Sequence, residues 1–451
     1  MAQQVDVVVI GMGVGGEEVA GKLAEAGLSV VGVESTLVGG ECPYWGCVPS
    51  KMMIRAANLL AEARRVDGIA GHADVTPDWE PVAARIREEA TADWNDQAAV
   101  DRFTGKGGTL VRGGGRLAGS GLVVANGETF EAHRGIVLAT GAVPIVPPID
   151  GLADTPYWTN REAIEAKTLP TSLIVLGGGA VGLELAQVYA RFGVAVTVVE
   201  AMDRLLPAEE PETSTLVERA LVSDGITVRV GAPAAAVHYD GARFRVTVGD
   251  DELTAERLLV AVGRRADLTG LGLDTVGLDD QAPAIKVDGH QRAGDRLWAV
   301  GDVTGHGAFT HVGMYQAGVA IRDILGEPGP PADYRALPRV TFTDPEIGTV
   351  GLTEANARTA RIPTQVGIAQ VPESTRGWVH KAGNDGFIKL VADADQGVLV
   401  GATSAGPTGG EVLSALAVAV HARVPINTLR HMMYAYPTFH RSIEVAVRQL
   451  S

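Results

Sequence analysis

The sequence has little cysteine, few aromatic residues and no long run of positive charge. Two of its 451 residues are cysteine, aromatic residues make up 5%, and the formal net charge at pH 7 is −16. Because no basic run is longer than pairs such as Arg64-Arg65, nucleic acid and anionic membranes are not expected as partners. The apolar run at residues 5–10 is too short for a membrane span or a signal peptide, so we expect a cytoplasmic protein.

The scarcity of cysteine also limits what the two cysteines can do. In a reducing compartment, an isolated pair such as Cys42 and Cys47 is more typical of catalysis or metal binding than of a structural disulfide. Zinc would require four ligands, and no second pair of Cys or His lies nearby, so we predict no metal site. The residues alone leave two interpretations open: a redox-active pair, or two inert thiols.

The chain is long and rich in glycine. A single hydrophobic core rarely grows beyond about 250–300 residues, so we expect several domains. The 57 glycines among 451 residues are close to twice the typical share of about 7%. We therefore expect many tight turns and close approaches of the backbone.

Residues 5–34 have the pattern of a strand, a glycine turn, a helix and a second strand. Gly11, Gly13 and Gly16 follow directly on the first apolar strand. They would make a tight turn, admit a pyrophosphate close to the backbone and allow close helix packing, while the helix N-terminus attracts negative charge. Glu34, at the end of the second strand, is placed to bind a ribose hydroxyl. The pattern predicts a dinucleotide-binding unit.

The same pattern recurs at residues 173–200, with Gly177, Gly179 and Gly182 in the turn and Glu200 at the end of the second strand. A second dinucleotide site is therefore predicted. A carboxylate at this place binds a ribose diol and repels a 2′-phosphate, which favours NADH over NADPH. Arg204 lies close enough in the sequence to leave NADPH open.

Other stretches indicate how the chain is organised. Strand-like segments at residues 109–112, 122–125 and 136–139 suggest a small antiparallel insertion. Two further strands run into glycine turns at residues 258–263 and 297–302. The stretch 325–331 is rich in Gly and Pro and reads as a linker, after which we expect a separate module.

The segment between Gly39 and Lys51 holds the two cysteines. Residues five apart on a regular helix point about 140° away from each other, so a disulfide between them needs a distorted turn, which Pro43 and Gly46 can supply. Pro49 can then start a helix, and a helix N-terminus close to a cysteine lowers its thiolate pKa. An electron-relaying thiol requires that property.

This segment resembles the redox segment of the class I pyridine nucleotide-disulfide oxidoreductases, of which dihydrolipoyl dehydrogenase and mercuric reductase are members. Motifs along the whole chain follow the order of that family: Gly11-x-Gly13-x-x-Gly16, the Cys-x4-Cys-x-Pro-Ser-Lys segment ending at Lys51, Ala139-Thr140-Gly141, Gly177-x-Gly179-x-x-Gly182, Ala261-Val262-Gly263-Arg264, Gly301-Asp302, and Phe342-Thr343-Asp344-Pro345-Glu346.

The resemblance implies an α/β fold with two Rossmann-like dinucleotide-binding domains and a C-terminal α+β interface domain that forms a homodimer. An FAD domain would span residues 1–149 and 268–331. An NAD(P) domain would span 150–267, and the interface domain 332–451.

The resemblance also assigns roles to residues. The first glycine turn, with Glu34, Thr140, Gly141, Gly301 and Asp302, would hold FAD, and the second, with Glu200 and Gly263, would hold NAD(P)H. Cys47 would contact the flavin and form its charge-transfer complex, and Cys42 would exchange with the substrate. Lys51 would lie beside flavin N5 and pair with Glu184, which would keep the lysine charged.

The C-terminal region departs from the pattern of the family. Members that reduce disulfides carry His-Pro-Thr and a Glu four residues after the Pro, which together act as the base for the exchanging thiol. Here Tyr436 stands in place of the His and Arg441 in place of the Glu, so lipoamide is not favoured as substrate. A tyrosine has an ordinary pKa of about 10 and is a poor base at neutral pH. Tyr436 can still donate a hydrogen bond to an acceptor, and we place it among the site residues.

The C-terminal cysteine pair of mercuric reductases has no counterpart in this sequence, so mercuric ion is not favoured as substrate. Four further residues have more than one interpretation. His440 could be a displaced base, but we favour a structural role for it and for His311. Tyr44 and Trp45 could shield the disulfide, stack a flat acceptor, or pack against the interface domain.

These patterns predict an enzyme that passes electrons from NAD(P)H, with NADH favoured, through FAD to the Cys42-Cys47 disulfide and on to a small-molecule acceptor, which is a disulfide or another small compound. One alternative is a reductase of quinones or other small acceptors that uses the flavin directly. Another is a flavin-bearing regulatory or assembly protein whose turnover is incidental.

Overall fold

The computed structural model describes residues 2–450, which form two compact units. One unit contains the chain up to Pro49, Ala84–Ile145 and Gly263–Asp333. The other contains Ser50–Ala83, Val146–Val262 and the chain from Tyr334 onward. The boundaries predicted for three domains stay predictions.

The secondary structure alternates between strands and helices over most of the chain. The strands are β1 Gln3–Ile10, β2 Val30–Glu34, β3 Thr109–Arg112, β4 Gly115–Leu117, β5 Leu122–Ala125, β6 Glu128–Leu138, β7 Val143–Pro144, β8 Ser172–Leu176, β9 Ala195–Val199, β10 Thr227–Arg229, β11 Ala234–Tyr239, β12 Phe244–Val248, β13 Asp251–Ala255, β14 Arg257–Val260, β15 Arg264–Arg265, β16 Arg292–Gly294, β17 Leu297–Ala299, β18 Pro338–Thr341, β19 Glu346–Gly351, β20 Thr364–Gln370, β21 Phe387–Asp393 and β22 Val398–Gly406.

The α-helices are α1 Val14–Glu25, α2 Glu41–Tyr44, α3 Cys47–Arg64, α4 Glu80–Arg85, α5 Gln97–Thr104, α6 Asn160–Glu165, α7 Ala180–Arg191, α8 Pro211–Ser223, α9 Thr310–Leu325, α10 Glu354–Thr359, α11 Thr375–His380, α12 Gly409–His421, α13 Ile426–His431 and α14 Ser442–Val447. A π-helical turn at Ile86–Ala90 and 3₁₀ turns at Leu273–Val276, Asp302–Thr304 and Phe439–Arg441 complete the set.

The first unit is built on a sheet with the order β16-β17-β6-β1-β2-β3, in which β1 pairs in parallel with β2 and β6. The last residues of β1, Val7 to Ile10, are buried, as expected for a strand covered on both faces. Residues of α1, α5 and α9 pack on one face around Val7, Val9 and Phe103. The other face packs around Val8, Leu117 and Phe130.

The predicted antiparallel insertion is only partly correct. Strands β4 and β5 and the beginning of β6 do pair antiparallel. However, β3 pairs in parallel with β2, and the end of β6 pairs in parallel with β1 and β17. A short apolar run shows that a strand is present but does not specify its partner, because parallel partners are distant in the sequence.

The second unit contains three sheets. Strands β10-β9-β8-β14 form a parallel sheet, and β11-β12-β13 form an antiparallel one. The C-terminal sheet has the order β18-β19-β22-β21-β20 and is antiparallel throughout. Its core includes Leu390 from β21 and Leu413 and Leu416 from α12. The predicted fold class, α/β with two Rossmann-like dinucleotide-binding domains and a C-terminal α+β interface domain, is confirmed.

No helix between residues 2 and 450 is both long enough and apolar enough to cross a membrane.

Candidate functional site

The first glycine turn joins β1 to α1 in a conformation that excludes side chains. Gly11 has a φ of +92°, and a Cβ added to it would lie 2.4 Å from the carbonyl oxygen of Ala139. A Cβ on Gly16 would lie 2.0 Å from the carbonyl oxygen of Gly11. Helix α1 starts after Gly13 without a side-chain cap, so its first N–H groups are available to a ligand.

Glu34 closes this turn from the end of β2. Its side chain is buried. One carboxylate oxygen accepts a hydrogen bond from the N–H of Met12 at 2.7 Å, and the other accepts from the N–H and hydroxyl of Thr36 at 2.8 and 2.9 Å. These bonds fix the carboxylate beside the turn.

The second glycine turn repeats this arrangement between β8 and α7. A Cβ on Gly177 would lie 2.4 Å from the carbonyl oxygen of Ala261, and one on Gly182 would lie 2.3 Å from the carbonyl oxygen of Gly177. Glu200 accepts hydrogen bonds from the N–H groups of Gly178 and Met202 at 2.6 and 2.7 Å. The structure therefore has two similar cradles, each closed by a buried acid.

Arg204, which follows the second cradle, is tied into its own loop. Its guanidinium donates to the carbonyl oxygens of Leu206, Pro207 and Glu209 at 3.3, 2.6 and 3.0 Å. It also donates to the hydroxyl of Ser214 at 2.8 Å. Arg204 thus stabilises the loop after β9.

The cysteine segment packs directly on the first cradle. The N–H of Gly39 donates to the carbonyl oxygen of Met12 at 2.7 Å. Gly40 has a φ of +68°, and a Cβ on it would lie 2.8 Å from the Cα of Gly13. Gly40 is therefore needed for this close approach, which brings the cysteine segment to the glycine turn.

The two aromatic residues between the cysteines differ in their surroundings. Tyr44 is 6% exposed and donates from its hydroxyl to the carbonyl oxygen of Val38 at 3.2 Å. It therefore packs within the first unit and has no face available to stack an acceptor. The ring of Trp45 lies 5.9 Å from that of Tyr44 and is half-buried.

Cys42 and Cys47 are not joined by a disulfide in this structure; Cys42 is half-buried and Cys47 is exposed. A hydrogen bond with Cys47, together with burial, raises the pKa of the Cys42 thiol, and a hydrogen bond with Thr310 partly offsets this effect. The hydroxyl of Thr310 lies 3.5 Å from the sulfur of Cys47. One threonine hydroxyl therefore contacts both thiols, and the sequence did not indicate it.

Two helices begin at these thiols. Helix α3 starts at Cys47, two residues before the predicted start at Pro49, because Pro is tolerated anywhere in the first turn. Helix α9 starts at Thr310 and runs for 16 residues. The partial positive charge of a helix N-terminus stabilises a thiolate.

The loop at Gly301 and Asp302 is held by a side chain that the sequence did not reveal. Gln316 is fully buried, accepts from the N–H of Gly301 at 2.6 Å and donates to the hydroxyl of Thr304 at 2.9 Å. Burial raises the pKa of Asp302, while the charge of Arg264 opposes the shift. A carboxylate so placed is suited to accept hydrogen bonds from ligand hydroxyls.

Three other residues predicted to bind cofactors lie in or beside glycine turns. The hydroxyl of Thr140 is buried and lacks a hydrogen-bond partner within residues 2–450. Gly141 and Gly263 have φ values of +72° and +130°. Arg264 donates to the carbonyl oxygen of Ala142 at 2.5 Å. The orphaned Thr140 hydroxyl indicates that a polar ligand belongs here.

Lys51 and Glu184 meet in the second unit. The ammonium of Lys51 lies 2.7 Å from one carboxylate oxygen of Glu184, which is buried. The other oxygen accepts from the N–H of Phe342 at 2.8 Å, and the Lys51 ammonium lies 4.6 Å from the centre of the Phe342 ring. The structure thus brings together the lysine, its expected partner and the first residue of the Phe-Thr-Asp-Pro-Glu motif.

The next residues of that motif are held by a buried polar network. The carboxylate of Asp344 accepts from Arg65 at 2.6 Å and from the buried Arg191 at 2.8 Å. The side chain of Gln187 bonds both the N–H and the carbonyl oxygen of Asp344, at 2.7 and 3.0 Å. These partners are distant in the sequence, and no local pattern pointed to them.

Tyr436 occupies the position at which the family pattern has a histidine. Its side chain is 66% exposed, and its hydroxyl donates a hydrogen bond to that of Thr375 at 3.4 Å. The guanidinium of Arg441 lies 5.5 Å from the centre of the Tyr436 ring and pairs with Glu444 at 3.0 Å. The carboxylate of Glu444 is also bonded to Arg448. A carboxylate is therefore present, but two arginines engage it.

The two histidines with alternative roles pack against aromatic rings. His440 lies beside Tyr434 with 6.3 Å between ring centres, and His311 stacks on Phe309 at 5.2 Å. Neither the cysteine segment nor any other part of residues 2–450 has a cluster of three His, Cys, Asp or Glu residues that could hold a metal ion.

Comparison with known families gives two matches that together extend over most of the chain. A family model described as pyridine nucleotide-disulphide oxidoreductase matches residues 5–322. The model of the dimerisation domain of the same family matches residues 337–447.

Similar proteins include a dihydrolipoyl dehydrogenase of Haloferax volcanii, 33% identical over 98% of this chain and 95% of the relative. A mercuric reductase of Acidithiobacillus ferrooxidans is 33% identical over 99% of this chain and 82% of the relative. Among solved structures, LpdA of Mycobacterium tuberculosis matches with a TM-score of 0.86 and 27% identity over 100% of both chains. The HOCl-induced flavoprotein disulfide reductase RclA of Escherichia coli matches with a TM-score of 0.86 and 25% identity, over 99% of this chain and 100% of that one.

Proposed function

The chain belongs to the pyridine nucleotide-disulphide oxidoreductase family, and from that premise we propose that its Cys42-Cys47 pair reduces a small acceptor without a His-Glu base. It is an FAD-dependent NAD(P)H disulfide oxidoreductase. The relatives support this function and not the direct reduction of quinones by the flavin. The observation that carries the proposal is the hydrogen-bonded cysteine pair, held against the first glycine cradle by Gly40.

The first cradle fits FAD. Side chains are excluded at Gly11 and Gly16, helix α1 offers free N–H groups, and the hydroxyl of Thr140 is buried without a partner in the described chain. Glu34 and Asp302 would accept hydrogen bonds from hydroxyl groups of the cofactor. FAD held there would supply the two-electron chemistry that links a hydride donor to the disulfide.

The second cradle is proposed to hold NADH in preference to NADPH. The buried carboxylate of Glu200 lies beside the turn, where it would bind a ribose diol and repel a 2′-phosphate. The guanidinium of Arg204 already donates four hydrogen bonds within its own loop and to Ser214. It is therefore not poised to offset that repulsion.

The cysteine pair would receive the electrons in one step. Two electrons and one proton would convert the disulfide to a thiol at Cys42 and a thiolate at Cys47, as the S–S bond breaks. The raised pKa of Cys42 keeps the proton on that thiol, so that Cys42 donates its hydrogen bond to Cys47. The two helix N-termini and the hydroxyl of Thr310 would stabilise negative charge on Cys47. We propose that Cys47 faces the flavin and that Cys42 exchanges with the acceptor.

Lys51 and Glu184 would tune the flavin. The buried carboxylate of Glu184 holds the ammonium of Lys51 in a fixed position, 2.7 Å from one of its oxygens. A fixed positive charge near the flavin would stabilise the negative charge that develops there during reduction.

The exit of electrons differs from that of dihydrolipoyl dehydrogenase. Tyr436 is a hydrogen-bond donor beside Arg441, and neither a phenol nor a guanidinium has the lone-pair nitrogen with which a histidine acts as a base. We therefore propose that Cys47 takes the proton of Cys42: as the Cys42 sulfur attacks the acceptor, its proton would pass along the hydrogen bond to the Cys47 thiolate. A small disulfide whose product thiols are acidic, or another small electrophilic acceptor, suits this exchange, since such thiols leave readily. The chain is further proposed to act as a cytoplasmic homodimer through its dimerisation domain.

A Cys42→Ser variant tests the role of the disulfide. We expect turnover of any acceptor of this enzyme to fall by on the order of 100-fold or more, because the variant lacks the thiol that attacks the acceptor and can no longer form the Cys42-Cys47 disulfide. Reduction of the bound FAD by NADH should persist. The measurement is steady-state acceptor turnover, with lipoamide, small disulfides and quinones as probes, beside stopped-flow reduction of the flavin.

Val48→Ala serves as the matched control, since Val48 adjoins Cys47 and is 42% exposed. It should turn over acceptors at the wild-type rate. If Cys42→Ser keeps its acceptor turnover, the flavin itself is the reductant and the proposal fails.

A further inference from the structure

The loop that follows Glu200 is physically coupled to the second glycine cradle. The N–H of Leu206 donates to the carbonyl oxygen of Gly178 at 2.9 Å. A Cβ on Gly178 would lie 2.6 Å from the side chain of Leu205 and 3.1 Å from the carboxylate of Glu200. The loop and the turn are therefore in van der Waals contact, and a displacement of one displaces the other. We call residues 200–210 the recognition loop.

The recognition loop behaves as one piece with the start of α8. The guanidinium of Arg204 bonds the carbonyl oxygens of Leu206, Pro207 and Glu209. The hydroxyl of Ser214, in the first turns of α8, accepts from Arg204 at 2.8 Å and donates to the carbonyl oxygen of Leu205 at 2.5 Å. A contact that fixes the end of the loop at Glu209 and Glu210 therefore also fixes its beginning at Glu200.

Two cations of the C-terminal sheet fix that end. Arg339, on β18, makes two parallel hydrogen bonds of 2.9 Å to the two carboxylate oxygens of Glu209. This geometry gives a strong and directional ion pair. The hydrogen bonds that Arg339 donates to Glu209 raise the pKa of Arg339, so its guanidinium is charged.

The second cation is Lys389, on β21, whose side chain is 3% exposed. Its ammonium lies 3.0 Å from Glu210, 2.8 Å from Glu212 and 3.0 Å from Glu354. The side chain of Glu210 is itself 3% exposed, and its other oxygen accepts from the N–H of Glu354 at 2.7 Å. The last residue of the recognition loop is thus buried against the C-terminal sheet as a charge.

Lys389 cannot be removed without moving the loop. Without the ammonium, Glu210, Glu212 and Glu354 would be left as neighbouring negative charges, with Arg358 still paired to Glu354. A buried charge that loses its partner is strongly unfavourable. The carboxylate of Glu210 can reach water only if the loop withdraws from the sheet.

We infer that Arg339 and Lys389 are positioning residues for the pyridine nucleotide. They act through Glu209 and Glu210 to hold the recognition loop, and with it Glu200, in the conformation that binds the ribose of NADH. The inference rests on the proposed assignment of Glu200 to the nucleotide. It makes nucleotide affinity and the preference for NADH depend on residues of the C-terminal sheet that do not contact the nucleotide.

The test measures FAD reduction in the holoenzyme at increasing NADH and NADPH by stopped flow. In Lys389→Met we expect the apparent Kd for NADH to rise about tenfold, with a limiting rate within about twofold of wild type. The ratio of NADPH to NADH affinity should rise toward unity. Lys389→Arg should restore part of the affinity, because it keeps the charge.

Asp393→Asn is the matched control. Asp393 is buried at the end of the same strand and accepts hydrogen bonds from the N–H groups of Asp395 and Gln396. Its replacement therefore perturbs β21 without removing a contact to the recognition loop. The inference is overturned if Lys389→Met lowers the limiting rate at an unchanged Kd, or if Asp393→Asn raises the Kd equally. Should Lys389→Met fail to fold, Arg339→Gln, whose side chain is 27% exposed in the native protein, decides by the same criteria.

A Glu200→Ala variant separates this inference from the proposed function. If Glu200→Ala leaves NADH affinity unchanged, the assignment of the second cradle is wrong. If it weakens NADH binding while Lys389→Met and Arg339→Gln do not, the cradle is correct and the positioning role is wrong.

Discussion

Glu184 has both carboxylate oxygens engaged, one by the ammonium of Lys51 and the other by the N–H of Phe342. Replacing Lys51 by Met would remove a fixed positive charge, and we expect the rate of FAD reduction by NADH to fall by on the order of 100-fold. Glu184→Gln keeps a hydrogen-bonding oxygen but loses the charge, so its effect should be smaller, about tenfold. Stopped-flow reduction of the flavin measures both.

Glu62→Gln is the control on the same helix. Glu62 pairs with Arg65 at 2.7 Å, and its side chain is 57% exposed, so its removal should leave the rate within about twofold of wild type, because exposed ion pairs contribute little. A rate in Lys51→Met equal to that of Glu62→Gln would contradict the role given to Lys51.

Single residues of the site differ in how far the sequence could predict them. The pairing of Lys51 with Glu184 was expected from the resemblance to a family, and the structure brings the two side chains together. Thr310 and Gln316 could not be expected, because a threonine or a glutamine in a helix has no local pattern that distinguishes a site residue from a surface one. Their contacts with Cys47 and Gly301 exist only after the fold has brought α9 to the cysteine segment.

At the scale of elements, the two glycine turns make the most specific prediction. A Cβ on Gly16 would lie 2.0 Å from a backbone oxygen of its own turn. Overpacking of this kind costs about 1–3 kcal/mol, and about 1.4 kcal/mol corresponds to tenfold in affinity. Gly16→Ala should therefore purify with little bound FAD. Gly182→Ala should retain FAD and bind NADH about tenfold more weakly.

The FAD content of the purified protein, read from its absorbance, and the NADH dependence of flavin reduction measure these effects. Gly318→Ala, in α9, is the control, since a Cβ there would meet only Arg322 at 4.0 Å. It should retain full FAD content. Loss of FAD in Gly182→Ala but not in Gly16→Ala would mean that the two cradles are assigned the wrong way round.

The helices, strands and turns also show which features of the local sequence are enough to predict structure. The strand, turn and helix around Gly11 and around Gly177 were predicted correctly because a positive φ and a close backbone approach restrict those positions to glycine. Strand β3 was placed in the wrong sheet arrangement, because its short apolar sequence is compatible with parallel and antiparallel partners alike. Local chemistry defines a turn, whereas strand pairing depends on contacts between distant segments.

At the scale of the whole molecule, the sequence predicted the entry of electrons better than their exit. Glycine cradles, buried acids and the cysteine pair are local patterns that match the family, so the fold class and cofactors followed from them. The surroundings of Tyr436 did not follow. Neither the stacking of Arg441 on its ring nor the engagement of Glu444 by two arginines can be read from the order of the residues.

The polar contacts within the second unit illustrate the same limit. Lys389 contacts Glu210, a residue 179 positions away, and Asp344 contacts Gln187, 157 positions away. A lysine in an apolar strand is visible in the sequence, but its partners are fixed only by the packing of the C-terminal sheet. Long-range polar contacts are therefore the features of the site that the sequence predicts least and the structure reveals.

Electrons from NADH are proposed to reach Cys42 and Cys47 through FAD. Counting reactive thiols tests this route. Oxidised protein loaded with FAD is given NADH without oxygen, quenched in denaturant with an alkylating reagent, and mapped by mass spectrometry. The account predicts that neither of the two cysteines is alkylated before NADH is added and that both are alkylated afterwards. Bleaching of the flavin with both cysteines still protected from alkylation would contradict it.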